Sequence, residues 1–291
     1  MAPYPDDLDR WRRAARISAE ARELGVRRVV PGALRREVAE AIEGHIRSRG
    51  AEPAFPANLS RGSEAAHYTP SPDDAQAFQV GELVKVDVGA HLDGAIADTA
   101  ATVEVGGGHR HDNLRRAVEE AVEAGIAEVR AGGAVDAISR AIERAIHARG
   151  LKPVRNLTGH TIEPYLLHAG KSIPNASGLS SDRLEEGEIV AIEPFATNGA
   201  GTIGNGAFGN IVRFRSDPGD RVPAAARWFS RFRTLPFTAR WIVPEERDQL
   251  RTVRRHLQSY PVFVEEGDGE VAQAEHTVLV TPSGAEVLTR A

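Results

Sequence analysis

The sequence predicts an α+β fold built as two related halves. Three observations predict it. The chain resembles itself at an offset of 100 residues. Each copy reads as helices followed by strands. A carboxylate ends an apolar strand-like run at the same place in both copies, Asp87 in one and Glu193 in the other.

The elements follow in chain order. Helical spacing of apolar residues predicts helices over about 7–24, 33–49, 112–130 and 134–149. The second and fourth are the repeat itself. Gly32, Ala41, Ile42, Glu43, Ile46, Arg49, Gly50 and Pro53 match Gly132, Ala141, Ile142, Glu143, Ile146, Arg149, Gly150 and Pro153. Glycine and then proline stop both helices. Strands are predicted over about 83–89, 95–103, 188–195, 208–214 and 271–280. Gly81 to Asp87 parallels Gly187 to Glu193, so the strands repeat at an offset of 106.

Asp87 and Asp98 flank Asp93-Gly94, a hairpin turn signal. A turn centred on Leu92/Asp93 sets the two carboxylates opposite each other, and one centred on Asp93/Gly94 makes them diagonal neighbours. Both registers put them on one face, provided the ladder has no bulge. Two carboxylates about 4 Å apart repel by roughly 4 kcal/mol at an effective dielectric of 20. A shared proton, an arginine or a metal ion should compensate; the alternative is a solvated hairpin edge, against which the flanking apolar runs argue. The repeat equivalent of Asp98 falls on Gly204, and the next candidate is Glu275, in the run Val271 to Val280. That delay predicts an insertion in the second hairpin. Residues of about 216–260, with Ala224 to Phe229 and Glu245 to Leu250 as helices, supply a helical subdomain. The rest of residues 1–291 reads as one catalytic domain.

The histidines add nitrogen ligands. His160 follows a turn-like approach, Asn156-Leu157-Thr158-Gly159, and His168 lies eight positions on. His67 precedes the first hairpin, where it can face the same cleft. Imidazole with carboxylates is a ligand set for catalytic divalent ions. Gly199 to Gly204 matches a dinucleotide-binding pattern, but Asn205-Gly206 stands where a helix must begin, so a loop between strands is expected.

Bulk composition narrows the chemistry. The chain has 291 residues and no cysteine, which excludes disulfides, thiolate catalysis and Cys-zinc sites. Oxygen and nitrogen ligands suit Co, Mn, Fe or Zn without choosing among them. A formal charge of −5 gives no drive towards DNA or acidic lipid. No run approaches transmembrane length and no secretory signal is evident, so a cytoplasmic protein is expected.

Five motifs in order carry a resemblance. They are Ala65-Ala66-His67-Tyr68-Thr69-Pro70, Asp87 to Thr99, Gly159-His160, Ile192-Glu193-Pro194-Phe195 and Gln273-Ala274-Glu275-His276-Thr277. The chain resembles type II methionine aminopeptidases, in the short archaeal form, from about residue 10 to the C-terminus. Leu235-Pro236-Phe237 resembles their helical subdomain. The resemblance implies the pita-bread fold and two divalent ions between its halves. It implies that Asp87 holds one ion, Asp98 and Glu275 bridge both, and His160 and Glu193 complete the other. It makes His67, His168 and Glu193 catalytic, with His67 and His168 touching substrate and Phe55 lining a methionine pocket. The implied reaction removes the N-terminal methionine of nascent chains that carry a small second residue. The implied setting is a monomer with transient ribosome proximity. The stretch 199–211 departs from some relatives, so no further pocket residue is assigned there. Two alternatives share the fold. Xaa-Pro peptidases show Gly-His-Gly where this chain has Gly159-His160-Thr161. Non-enzymatic RNA- or ribosome-associated relatives have lost metal ligands, and this chain keeps five.

Overall fold

Residues 31–53 and 131–153 fold alike, position for position. The computed structural model describes residues 7–219 and 223–290. The first half runs α1 (Leu8–Arg28), α2 (Arg35–Ser48), β1 (Glu52–Pro53), β2 (Asn58–Arg61), β3 (Glu64–Ala66), β4 (Leu83–Leu92) and β5 (Ala95–Glu104). The second begins with α3 (Asp112–Ala127), α4 (Val135–Ala148) and β6 (Lys152–Pro153). It continues through β7 (Thr158–Glu163), β8 (Leu166–Pro174), β9 (Ile189–Ile192) and β10 (Phe195–Thr197). A long hairpin of β11 (Ile203–Phe214) and β13 (Leu257–Glu265) encloses α5 (Pro223–Phe232), β12 (Phe237–Thr238) and 3-10 turns. The chain closes with β14 (Val271–Gln273), β15 (His276–Val280) and β16 (Ala285–Val287).

Each half buries the apolar stripe of its helices on its own sheet. Ile17, Val38, Ile42 and Val86 share one core. Val118, Ile138, Ile142, Val190 and Ile192 share the other. The repeat extends to buried polar groups. Glu43 accepts a hydrogen bond from the Ala57 amide, and its counterpart Glu143 accepts one from the Ser177 amide.

The first hairpin takes the diagonal register. Leu92 pairs with Ala95 around Asp93-Gly94, Asp87 with Ala100, and Gly89 with Asp98, with no shift along the ladder. The two halves meet along β5. Ala100 and Glu275 form an antiparallel bridge. Thr277 Oγ1 accepts from the Asp98 amide at 2.8 Å and donates to the Asp98 carbonyl at 2.7 Å. Thr102 Oγ1 does the same for Gln273, at 2.8 and 2.6 Å.

The structure corrects several sequence expectations. The strand expected over 188–195 breaks after Ile192, and the one over 271–280 breaks after Gln273. Pro194 lacks an amide donor, which explains the first break. His160 lies on β7 of an unforeseen hairpin with β8, not in a loop. Helix α1 runs on to Arg28, and α3 stops at Ala127. Residues 244–251 form 3-10 turns, because the segment Pro244 to Arg251 has no apolar stripe to bury.

Arg240, from the segment between β11 and β13, is pinned to α2. It donates to both Glu43 oxygens at 2.8 and 2.7 Å, and Trp241 Nε1 donates to Glu43 at 2.7 Å. Both charged side chains are buried. Glu43→Ala leaves a buried guanidinium unpaired and is expected to cost about 3 kcal/mol or more. Urea unfolding measures it, and a loss below about 1 kcal/mol would contradict the buried-pair account.

Candidate metal centre

All eight site residues expected from the sequence line one cavity of about 250 Å³: Phe55, His67, Asp87, Asp98, His160, His168, Glu193 and Glu275. Asp87 and Asp98 reach it from the β4–β5 hairpin, His160 from β7 and His168 from β8. Glu193 and Glu275 enter at the two strand breaks, where the backbone leaves the ladder and the side chain is free to turn inward. Glycine permits two close approaches. A Cβ at Gly89, opposite Asp98, would fall 2.4 Å from the Phe55 ring, and one at Gly159 would fall 2.3 Å from the Ala191 carbonyl.

Electrostatics single out a cation. Asp98 is 5% exposed and Glu275 2%. Burial pushes the Asp87 carboxyl up to about 6, against hydrogen bonds from Asn58 and Gln273 that lower it. Burial first, then the Asp87 charge, raises Asp98 well above the carboxylate range. Burial, then Asp98 and Asp87, does the same to Glu193. Glu275 is raised by burial, then by Asp98, Glu193 and Asp87, with Arg22 pulling the other way. Asp87 Oδ1, Asp98 Oδ1 and Glu275 Oε1 are buried without a hydrogen-bond partner.

His160 completes the picture. Its Nδ1 faces the Thr161 carbonyl at 3.3 Å, which can only accept, so Nδ1 carries the proton. Burial, then His168, holds the ring neutral. The bare Nε2 lone pair then points at Glu193 Oε1, 3.4 Å away, and at Asp98 Oδ2, 3.8 Å away. A lone pair among carboxylates is repulsive until a cation lies between them. Ligand atoms of Asp98, His160 and Glu275 all lie within 4.8 Å of one another. Three orphaned carboxylate oxygens and this tautomer fit a divalent ion.

Two more histidines flank the cluster. The rings of His168 and His160 are 4.3 Å apart. Burial and then Arg213 lower His168 to about 4. His67 adopts a left-handed backbone, φ +66°, which costs on the order of 1–3 kcal/mol at a non-glycine residue. Its neighbours hold it there. Ala66 pairs with Phe263 on β13. The Tyr68 carbonyl accepts from the Leu59 amide, and Arg35 lies 3.3 Å over the Tyr68 ring. The His67 ring packs on Tyr260 and Phe263, its Nδ1 has no partner, and burial and then His168 lower it to about 4.

Sequence reasoning missed several contributors. Asn58 pairs with Asp87 across β2 and β4 and donates to Asp87 Oδ2 at 3.2 Å. Gln273 Nε2 donates to Glu275 Oε2 at 3.3 Å. Tyr260, Phe263, Ile211 and Pro236 also line the cavity. Gln273 carried a usable signal, two residues before Glu275 on the same strand-like run. The aromatic wall carried none, because it arrives from a distant hairpin.

Known proteins resemble this chain along almost its whole length. Methionine aminopeptidase from Archaeoglobus fulgidus is 42% identical over 283 residues, covering 95% of this chain and 96% of its own. That from Methanocaldococcus jannaschii is 39% identical over 285 residues, covering 95% and 96%. The crystal structure of methionine aminopeptidase from Thermotoga maritima superposes with a TM-score of 0.75 at 22% identity, covering 100% of this chain and 99% of that one. The architecture is therefore the pita-bread fold. Residues 9–282 match the model of metallopeptidase family M24, and to that family the chain belongs.

Proposed function

We propose that this protein is a type II methionine aminopeptidase that removes the first residue of nascent polypeptides in the cytoplasm. The observation that carries the reading is the ring of buried carboxylates with unpartnered oxygens around His160, in a chain 39–42% identical to methionine aminopeptidases. The type II reading is supported by Pro236, which reaches the cavity from the segment between β11 and β13. The protein acts as a monomer, near the ribosome, on free N-termini.

Asp87, Asp98, His160, Glu193 and Glu275 would hold two divalent ions, Co, Mn, Fe or Zn. Among them, ligand atoms of Asp98, His160 and Glu275 lie within 4.8 Å of one another and would form the common core of the site. Bound ions supply Lewis acidity that polarises the scissile carbonyl and lowers the pKa of the attacking water. Glu193 takes the water proton on a carboxylate oxygen and returns it to the departing amine. The neutral His168 ring donates its N–H to the carbonyl oxygen as negative charge develops there. His67, also neutral, lines the same cavity and contacts the substrate. Phe55, Ile211, Pro236 and Phe263 exclude water and accept an unbranched apolar side chain.

The test is a peptide panel. Met-Ala-Ser should be cleaved about 100-fold faster than Met-Leu-Ser, because a bulky second side chain displaces the scissile carbonyl in so small a cavity. Cleavage should stop with chelator, and Xaa-Pro peptides should remain intact. Equal rates on the two methionyl peptides would refute the small-residue claim. Hydrolysis of Xaa-Pro alone would replace the function.

A further inference from the structure

A strand edge that starts and ends beside the cavity lacks a neighbour over part of its length. Strand β11 lies between β12 and β13. Yet β12 covers only Ile211 and Val212. At the other end, Asn156 closes the edge at Ile203, donating to its carbonyl at 2.7 Å and accepting from its amide at 2.9 Å. Between them, residues 204–210 pair with no strand on that side among the described residues. Asn156 and Ile211, which bound the gap, both line the catalytic cavity. So does Pro236, just before β12. Both ends of the open edge therefore lie at the cavity.

Phe208 lies in the middle of that edge and is 94% exposed. It pairs with Pro261, which stands between the cavity residues Tyr260 and Phe263. The ladder is irregular on either side of Phe208. Such bulges bend a strand and re-aim its side chains, and they recur beside active sites.

We infer that the open edge of β11, residues 204–210 with Phe208, docks the substrate polypeptide beyond its second residue as an added strand. The inference rests on the proposed aminopeptidase activity. A cavity of about 250 Å³ holds on the order of eight waters' volume, roughly one methionyl residue. The rest of the substrate must leave the cavity, where the open edge starts and ends. Main-chain pairing suits this task because it accepts any sequence, while side-chain contacts add only preference. The edge spans about 23 Å at roughly 3.3 Å per residue. Alternate residues of an added strand pair, so about three substrate residues engage. Phe208 offers them one apolar contact.

The experiment uses the metal-loaded full chain and two peptides, Met-Ala-Ser and an octapeptide extending it. The octapeptide should show kcat/KM about tenfold above the tripeptide. Phe208→Ala should shrink that ratio to about twofold, and N-methylation of alternate amides after residue 2 should shrink it similarly. A second readout needs no turnover. Hydrogen exchange of amides 204–210 should slow when the product heptapeptide, starting Ala-Ser, is added. Cleavage without length dependence, or a ratio unmoved by Phe208→Ala, overturns the docking edge. So does the absence of protection at 204–210. Protection without cleavage of either peptide would keep the docking edge and sink the aminopeptidase reading instead.

Discussion

Asp98→Asn should lower kcat by about a thousandfold or more with the fold intact. The two oxygens of Asp98 face His160 and the other carboxylates, and one of them has no partner. The amide keeps the shape but loses the charge, and its NH₂ turns a donor towards the cluster. The backbone here does not depend on the carboxylate, since Thr277 Oγ1 holds both the amide and the carbonyl of residue 98. Removing one of four crowded, buried carboxyl groups also removes one group that burial and its neighbours disfavour in the ionised form. The metal-free variant should therefore melt at or above the wild-type temperature while turnover collapses. Circular dichroism melts and steady-state rates at saturating metal check both halves. Near-normal turnover would remove Asp98 from the centre, and a collapsed melt would mean that its role is structural.

The second large effect is metal-linked stability. A saturating divalent ion should raise the melting temperature by about 10 °C. The sign of its pH dependence follows from the carboxyl groups. Asp87 titrates near 6, and Asp98, Glu193 and Glu275 are raised well above their ordinary values. In the metal-free fold these groups still hold protons where an unfolded chain has released them. Protons therefore compete with the ion, and binding must expel them. The gain in melting temperature should grow from pH 6 to pH 8. Below that range the neutral histidines do not interfere, because burial keeps His160 and His168 from binding protons until far lower pH. The difference between loaded and metal-free melts is the quantity to follow. Lys85 is buried and lowered to about 7, and it adds an opposite slope of its own to the metal-free curve. Calorimetry in buffers of different ionisation enthalpy should show proton release near pH 6.5. A binding heat independent of buffer would contradict the crowded cluster.

Much of this was legible in the sequence, for definable reasons. Helices α2 and α4 share their bounds at an offset of 100 because their apolar spacing and stop signals are local. Asp87 and Asp98 could be placed on one face because a strand has a period of two and Asp93-Gly94 fixes the turn. The β7–β8 hairpin was not legible. Its ladder shifts register twice, and Gly170-Lys171 interrupts any alternation. The break at Glu193 carried a signal in Pro194, whereas the break at Glu275 had none, since no proline or glycine stands beside it. Asn58 acts only through what it faces, and a single side-chain amide looks like any other polar residue until the strands pair.

The seam along β5 has an evolutionary reading. Two copies of one half, joined as separate chains, would meet with symmetric patches. Every ligand would then appear twice in identical surroundings, and no carboxylate could hold an ion while its twin moved protons. Fusion into one chain lifts that constraint. Asp87 and Glu193 occupy equivalent places in the repeat, yet one sits in an unbroken strand beside Asn58 and the other at a strand break beside His160. The Thr277 and Thr102 clamps hold the two halves together through backbone groups, so the contact does not depend on the side chains on either side.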